Sequence, residues 1–443
     1  MEKFTKQMNK MLYSDWYLAL IAFTVYIGWC FELEVVVLIM AIFLGTAMFI
    51  FADDLMPGLA LLFMVPMSFP SNVDPMEYAF LFPFFGLLVI SGAYRIYKSR
   101  KKFTLGALFL PQLSVSVVLL TGGLFTIGVT AYLSTLAYAI LLGFLLLIMY
   151  VFFGQYISQD GKKDLSIHMA KTLMYMGIVI SLELFTYTIR NGITMTNWID
   201  LGWGIDNNAA TLLLLSAPMC MYLATKYKHG YVYGLIGGVQ YLAIIMSFSR
   251  GGILFGFFQG VATLALTIKH SVNKKGILIG ISAAAVLIII GYACFFAKIN
   301  GVISELLSFS ASSGTSGRLE LYQEAWQAFL SSPILGVGLG YEGSAYGGSV
   351  IGFYWFHSTF FQVIASLGIV GLVAFCYRYY IMGKITLTGI KTNTFNQFAL
   401  MSLLGFEAYS MIDTGTFIPL PQMLIVVLLI LVIEKHNKAQ KDN

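Results

Sequence analysis

Apolar runs about as long as a bilayer core is thick, roughly 20 residues each, recur from one end of this chain to the other. They are continuous and do not alternate, which argues against a transmembrane β-barrel. In lipid every backbone N–H and C=O must find its partner within the protein, so such runs close on themselves as helices. The composition agrees. Of 443 residues, 58% are hydrophobic and 11% charged, whereas a soluble domain carries roughly 25% charged residues. Mean hydropathy is +0.82. The expected fold is an all-α polytopic membrane bundle of about 12–14 transmembrane helices. Spans fall near 15–31, 33–51, 55–70, 77–97, 103–120, 131–154, 169–189, 206–225, 231–248, 251–268, 276–296, 353–378, 395–412 and 418–434.

Charge orients these spans. With Lys3, Lys6 and Lys10 in the cytoplasm, the clusters Arg95–Lys102, Lys162–Lys171, Lys226/Lys228, Lys269–Lys275, Arg378–Lys391 and Lys435–Lys441 fall on the same side. Of 26 Lys plus Arg, only Arg190, Arg250, Lys298 and Arg318 are left outside. That is a strong positive-inside bias, and it puts both termini in the cytoplasm. The formal charge of +5 therefore reflects cytoplasmic loops and gives no reason to expect nucleic acid. Cys30, Cys220, Cys294 and Cys376 all lie in apolar runs, so no disulfide or zinc framework is expected. No cleavable signal is read, and the first span would direct insertion.

The longest polar interruption runs from about Ser308 to Gly371. It divides the chain into N-terminal spans (1–230), a core (231–378) with an external loop at 297–352, and C-terminal spans with a cytoplasmic tail (379–443). Within the loop, Ser308–Gly317 is Ser/Gly-rich and expected to be flexible. Arg318 to Leu330 reads as a helix. Leu319, Tyr322, Trp326 and Phe329 recur at three- and four-residue spacing as one apolar stripe. Such a stripe suits a membrane surface or the flank of a bundle. Ser332-Pro333 ends the helix, and Gly336, Gly338 and Gly340 follow in what is expected to be a tight, mobile connection. That G-x-G-x-G follows no strand, which removes a nucleotide-binding reading.

The external cations stand among more plentiful acids, including Asp74, Asp200, Asp206, Glu305, Glu320, Glu324, Glu342 and Asp413. Arg250 lies in S-F-S-R-G-G at a tight turn between spans, and Arg318 opens the amphipathic helix. A cation at a helix N-terminus opposes the helix dipole unless an anion is also bound. Guanidinium plus helix terminus is, however, a good oxyanion site. Each arginine could equally pair with a nearby acid or snorkel to lipid phosphate. His357, in W-F-H-S-T-F-F at the mouth of a span, suits a general base or a hydrogen-bonding role. No Asp-x-Asp, His-x-x-x-His or Cys/His cluster lies nearby to build a metal site. Glu183 and Glu407 fall inside spans, which is costly unless they pair or line a wet cavity. Arg190, in T-I-R-N-G, ranks below the other two arginines.

Three segments carry a resemblance. They are S-F-S-R-G-G (247–252), then S-G-R-L-E-L-Y-Q-E-A-W-Q-A-F-L-S-S-P-I-L-G-V-G-L-G (316–340), then F-H-S-T-F-F-Q-V-I-A-S-L-G-I-V-G (356–371). Their order resembles the O-antigen ligase and polysaccharide polymerase (Wzy-type) family over about residues 235–375. The specific points are an arginine-opened helix followed by Pro and Gly-x-Gly, and His357 followed, after ten intervening residues, by Gly368, with Gly371 next. Asn207 and Asn208 also resemble the polar start of a family span.

The resemblance implies a membrane-embedded glycosyltransferase of the C type. It would take undecaprenyl-pyrophosphate-linked oligosaccharides on the outer face of the bacterial cytoplasmic membrane, for capsule, exopolysaccharide or O-antigen. Arg250 and Arg318 would hold the pyrophosphate, and His357 would orient or activate the acceptor hydroxyl. Glu183, Arg190, Asn207 and Glu407 are further candidates for substrate contact. The family works without a metal, and no cofactor is implied. Partners would be membrane lipids, a chain-length regulator and a flippase of the same pathway, with no nucleic acid. Ser358 stands where asparagine is common in the family. A polysaccharide polymerase is the favoured member, with a ligase to another acceptor as the alternative within the class. A flippase is the alternative outside it, although deep charges along a path and two similar halves are not evident.

Overall fold

The computed structural model describes residues 2–69, 80–99, 103–124, 135–157, 164–192, 199–282, 286, 304, 317–341, 354–413, 415–417 and 421–442. Asp74, Cys294, Lys298, Glu305, the Ser/Gly-rich stretch 308–316 and Glu342 lie outside the described residues.

The described structure is helical apart from one isolated bridge between Asp200 and Ile205. In chain order the helices are α1 (Glu2–Leu12), α2 (Asp15–Cys30), α3 (Glu34–Phe51), α4 (Leu59–Met64), α5 (Phe82–Ser99), α6 (Phe109–Thr121), α7 (Thr135–Tyr156), α8 (Leu165–Asn191), α9 (Asp206–Lys226) and α10 (Tyr231–Met246). They continue with α11 (Arg250–His270), α12 (Arg318–Ser331), α13 (Thr359–Leu387), α14 (Thr394–Ser410) and α15 (Pro421–Asp442). Six of these, α3, α7, α8, α9, α11 and α13, are long and apolar enough to cross a bilayer. The α1–α2 pair, bent by 65°, makes a seventh if it is one span. This is a polytopic membrane protein.

Short polar side chains set several helix starts. Ser14, Asp164, Asn393 and Ser249 cap α2, α8, α14 and α11 by accepting from amides in the first turn. A helix that is apolar all round belongs in the interior. α9 is that helix, buried from Asn208 to Thr225 and flanked by α8, α10, α11 and α14. Its N-terminus, and with it the candidate site, is placed by this packing.

α13 differs from the span expected at 353–378. Residues 354–358 form the approach to His357, so the helix starts later, at Thr359, and extends to Leu387. Arg378 is consequently inside the helix and 2% exposed, not in a cytoplasmic loop. The helix also breaks at Gly368 (φ 63, ψ −159). A break frees backbone groups that must be satisfied elsewhere, and the connection after α12 satisfies them. Val337 N donates to Ala365 O (2.8 Å) and Gly338 N to Ser366 O (2.9 Å). In return, Ile369 N donates to Pro333 O (2.8 Å) and Val370 N to Ile334 O (3.2 Å). The Gly-x-Gly segment expected to be mobile is thus docked by backbone hydrogen bonds. Gly336 (φ 71) has no room for a side chain, because a Cβ would collide with the backbone of Ser366 and Leu367.

Gly336→Ala should therefore cost about 1–3 kcal/mol by forcing the two backbones apart. A lower thermal unfolding temperature in detergent is the expected result. An unchanged temperature would mean that the docking is dispensable.

Candidate functional site

Four helix N-termini meet around one carboxylate. Asp413, just beyond the end of α14, has a side chain only 3% exposed. Arg318, the first residue of α12, reaches the same turn. Its Nη1 donates to Ile412 O at 2.8 Å and its Nη2 lies 3.5 Å from Asp413 Oδ2. His357 Nδ1 lies 3.5 Å from Asp413 Oδ1. Tyr409 donates to Asp413 Oδ2 at 3.5 Å and shares a 3.0 Å hydrogen bond with Ser249 Oγ, the cap of α11. Asp206, opening α9, is within electrostatic reach of both Asp413 and Arg318. The positive ends of α9, α11, α12 and α13 therefore face one small region.

Local chain geometry aims each group. Phe248 (φ 57), before the cap of α11, and His357 (φ 49), before the cap of α13, both hold left-handed backbone. Such residues cost of order 1–3 kcal/mol and persist where surrounding contacts over-determine them. At His357 those contacts are visible. Tyr322 OH donates to His357 O at 3.2 Å, and the Tyr322 ring stacks on Phe361 with centroids 4.4 Å apart. Gln362, fully buried, accepts from Phe356 N (3.0 Å) and donates to Tyr354 O (3.0 Å) and Ser366 Oγ (2.9 Å). Ser358 caps α13 by accepting from Phe361 N. Asparagine caps equally well, so a serine here keeps the local geometry.

The His357 ring is oriented for proton transfer. Its side chain is 41% exposed, yet Nδ1 is buried against Asp413 and makes no protein hydrogen bond within ideal geometry. A carboxylate at Nδ1 favours the Nδ1–H tautomer and leaves the Nε2 lone pair for an outside partner. A 3.5 Å approach is long for a charge-assisted hydrogen bond, and such bonds commonly tighten when substrate binds.

The other expected residues are distributed unevenly. Arg250 is exposed on the first turn of α11, beside Ser249, and so belongs to the edge of this cluster. Asn207, second in α9, adjoins Asp206, whose Oδ1 accepts from Asn207 N at 2.8 Å. Glu407 lies below, half-buried, accepting from Tyr379 OH (3.0 Å) and Ser410 Oγ (3.3 Å). Arg190 and Glu183 are engaged elsewhere. Arg190 Nη2 reaches Cys30 O at 3.4 Å and lies over the Trp29 ring, at the end of α2. Glu183 accepts from Trp203 Nε1 at 2.7 Å. The α12 stripe is also re-assigned. Leu321, Ala325 and Ala328 face the bundle, whereas Leu319, Trp326 and Leu330 are exposed. Among the described residues, no three His, Cys, Asp or Glu side chains are grouped to hold a cation.

In the sequence Asp413 is only one acid among several, Tyr322 is a member of an apolar stripe, and Ser249, Gln362 and Tyr409 carry no signal that sets them apart. The one usable signal for Asp413 is an acid directly after a long apolar run, in M-I-D-T-G.

Residues 235–376 match the O-antigen ligase (Wzy_C) family. A search of curated proteins finds no match. The matched O-antigen ligase region holds Arg250, Arg318, His357, Gly336 and Gly368. Members of this family are glycan-transferring enzymes acting on lipid-linked glycans. Asp206, Tyr409 and Asp413 lie outside the match, so the folded site extends beyond the matched region on both sides.

Gln362→Leu should leave the amide of Phe356 and the carbonyl of Tyr354 buried without their partner, at about 1–3 kcal/mol each. The expected result is a lowered unfolding temperature and faster amide exchange at 354–358. Unchanged exchange there would show that His357 is held by other contacts.

Proposed function

We propose that this protein is a polysaccharide polymerase, an inverting glycosyltransferase that joins undecaprenyl-pyrophosphate-linked repeat units. The observation that carries the reading is Asp413 held between Arg318 and His357 where four helix N-termini meet. Guanidinium groups beside converging helix N-termini suit a pyrophosphate leaving group, and an aspartate-backed histidine suits an acceptor hydroxyl. The O-antigen ligase match supports both. The work would take place on the extracytoplasmic face of the bacterial cytoplasmic membrane. This follows if the positive-inside bias sets the orientation, with both termini cytoplasmic and about 12–14 spans in a C-type bundle.

In the proposed step the acceptor hydroxyl oxygen forms a bond to the anomeric carbon of the donor sugar. The bond from that carbon to the pyrophosphate oxygen breaks, and its electron pair leaves with the lipid pyrophosphate. The hydroxyl proton passes to His357 Nε2. Arg318 keeps guanidinium donors beyond the two engaged with the Ile412–Asp413 turn. With Arg250 and the helix N-termini it neutralises charge where charge develops, as preorganised dipoles do. Asp413 stabilises the protonated imidazole. Direct displacement inverts the configuration. The exposed Leu319, Trp326 and Leu330 would let α12 rest on the membrane as a lid over the donor. Capsule, exopolysaccharide or O-antigen is the product class, with a chain-length regulator and a flippase as pathway partners.

Transfer to a different acceptor, the ligase reaction, uses the same leaving group and base, and the favoured assignment rests on polymerases being the more numerous members. A flippase is disfavoured because the cation–histidine cluster sits at one end of the bundle.

Arg318→Ala and Arg250→Ala should each abolish long polymer in cells while the protein remains in the membrane. Lysine should rescue poorly where a bidentate contact is lost. Long polymer at wild-type levels from both alanine variants would remove the pyrophosphate role. His357→Ala and Asp413→Asn should lower turnover by about 10²-fold or more, with donor binding retained. Unchanged turnover would make the pair structural. Activity should survive chelation, and a complete, metal-reversible loss with EDTA would overturn metal-free transfer.

A further inference from the structure

The proposed step needs a guanidinium on α11 and a carboxylate just beyond α14 in fixed register, and one side chain touches both. Tyr409, in the last turn of α14, is 1% exposed. Its hydroxyl lies 3.0 Å from Oγ of Ser249, the residue before Arg250, and 3.5 Å from Asp413 Oδ2. Its ring meets Phe255, in the second turn of α11, edge to face with centroids 6.5 Å apart. Gly251 permits this approach. A Cβ there would lie 2.6 Å from the Tyr409 ring and 2.7 Å from the Ile412 side chain, and glycine is the residue that allows backbone to come so close. The Tyr409 backbone serves the same turn, because its carbonyl accepts from Ile412 N (3.0 Å) and Asp413 N (3.1 Å).

Proton counting gives the hydroxyl contacts a direction. An ionised carboxylate only accepts, so the single hydroxyl proton of Tyr409 points to Asp413. The Tyr409 oxygen then accepts from Ser249 Oγ, which itself accepts from Gly252 N at 3.2 Å. The result is a one-way chain from a first-turn amide of α11, through Ser249 and Tyr409, to Asp413 Oδ2. Linked hydrogen bonds polarise one another, and this chain starts at the positive end of a helix. Arg318 Nη2 approaches the same Oδ2, and His357 Nδ1 approaches Oδ1, each also at 3.5 Å. Asp413 is thus centred among three donors, and such contacts commonly tighten when substrate binds.

We propose that Tyr409 is a positioning residue that ties the Arg250 end of α11 to the Asp413–His357 pair. This rests on the glycosyl-transfer reading above. Being buried, Tyr409 touches neither donor nor acceptor. It fixes the carboxylate that orients the base, and it keeps the base in register with the cation at the leaving group. Removing the hydroxyl would leave Ser249 without its acceptor and Asp413 with one donor fewer, while the ring still fills its place. A carboxylate free to turn misaligns His357, and a misplacement of about 1 Å at a catalytic group can cost on the order of 10²-fold in rate. The guanidinium groups stay where they are, so the loss falls on turnover and not on donor affinity.

The test uses the full-length protein in lipid nanodiscs with lipid-pyrophosphate-linked glycan from its host. Turnover and donor KM are measured for Tyr409→Phe in the wild-type and Asp413→Asn backgrounds. Unfolding temperatures are measured for Tyr409→Phe, Ser249→Ala and the double variant. Tyr409→Phe should lower kcat about tenfold with donor KM within about twofold. In the Asp413→Asn background the same change should alter kcat by less than about twofold, because the carboxylate it orients is gone. The double variant should unfold at about the temperature of its less stable single parent. Wild-type kcat in Tyr409→Phe would overturn the proposal. So would an equal fold-loss in both backgrounds, which would mark a residue that supports the fold without acting through Asp413. If the wild-type protein transfers no glycan, the glycosyl-transfer reading fails by itself. Non-additive unfolding temperatures would then still support the tie between α11 and the Asp413 turn, and additive ones would overturn it.

Discussion

Asp413 is the group on which the site depends. A nearly buried carboxylate needs compensation, and it receives it from two residues far apart in the chain, Arg318 and His357. The pairing also answers the conflict at α12, where a cation opens a helix against its own dipole. The nearby anion is supplied by the protein. The price is a short separation between the guanidinium and the imidazole, which is useful in a site that must stabilise a leaving anion and accept a proton within one substrate's reach.

The second constraint is backbone geometry. α13 cannot run straight from the His357 loop into the bundle, because Gly368 breaks it. The segment 333–338 fills the break with four backbone hydrogen bonds, and Gly336 allows the approach. Since 333–338 follows α12 directly, the docking that repairs α13 also places Arg318 relative to His357. The glycines that resemble a family motif are accounted for by this contact and need no role in binding.

Much of this was legible in sequence. Bilayer-length apolar runs marked some helices closely, as at 206–225 against Asp206–Lys226, because lipid leaves the backbone no other choice, but the expected spans at 55–70 and 103–120 hold only the shorter apolar helices Met56–Ser68 and Phe109–Thr121. Arg318 at a helix start and His357 at a helix mouth were also visible, since a cation or an imidazole stands out against apolar surroundings. What was not legible depends on tertiary contact. Asp413 looked like any acid at a span end until folding set it against a guanidinium and an imidazole. Arg378 was counted with cytoplasmic lysines because the span was drawn from 353, and the chain instead uses 354–358 to approach His357. The α12 stripe was drawn through its largest apolar residues, but close packing on α13 selects the small ones, Ala325 and Ala328.

The most direct measurement is reconstitution. The protein is purified in lipid, supplied with undecaprenyl-pyrophosphate-linked repeat units from its host, and the products are separated by glycan length. A ladder of increasing length is the predicted result and would place polymerisation in this chain alone. One-step transfer to an added acceptor, with no ladder, would make it a ligase. No transfer, with lipid-linked glycan moving across the vesicle membrane instead, would contradict the account and make the protein a transporter.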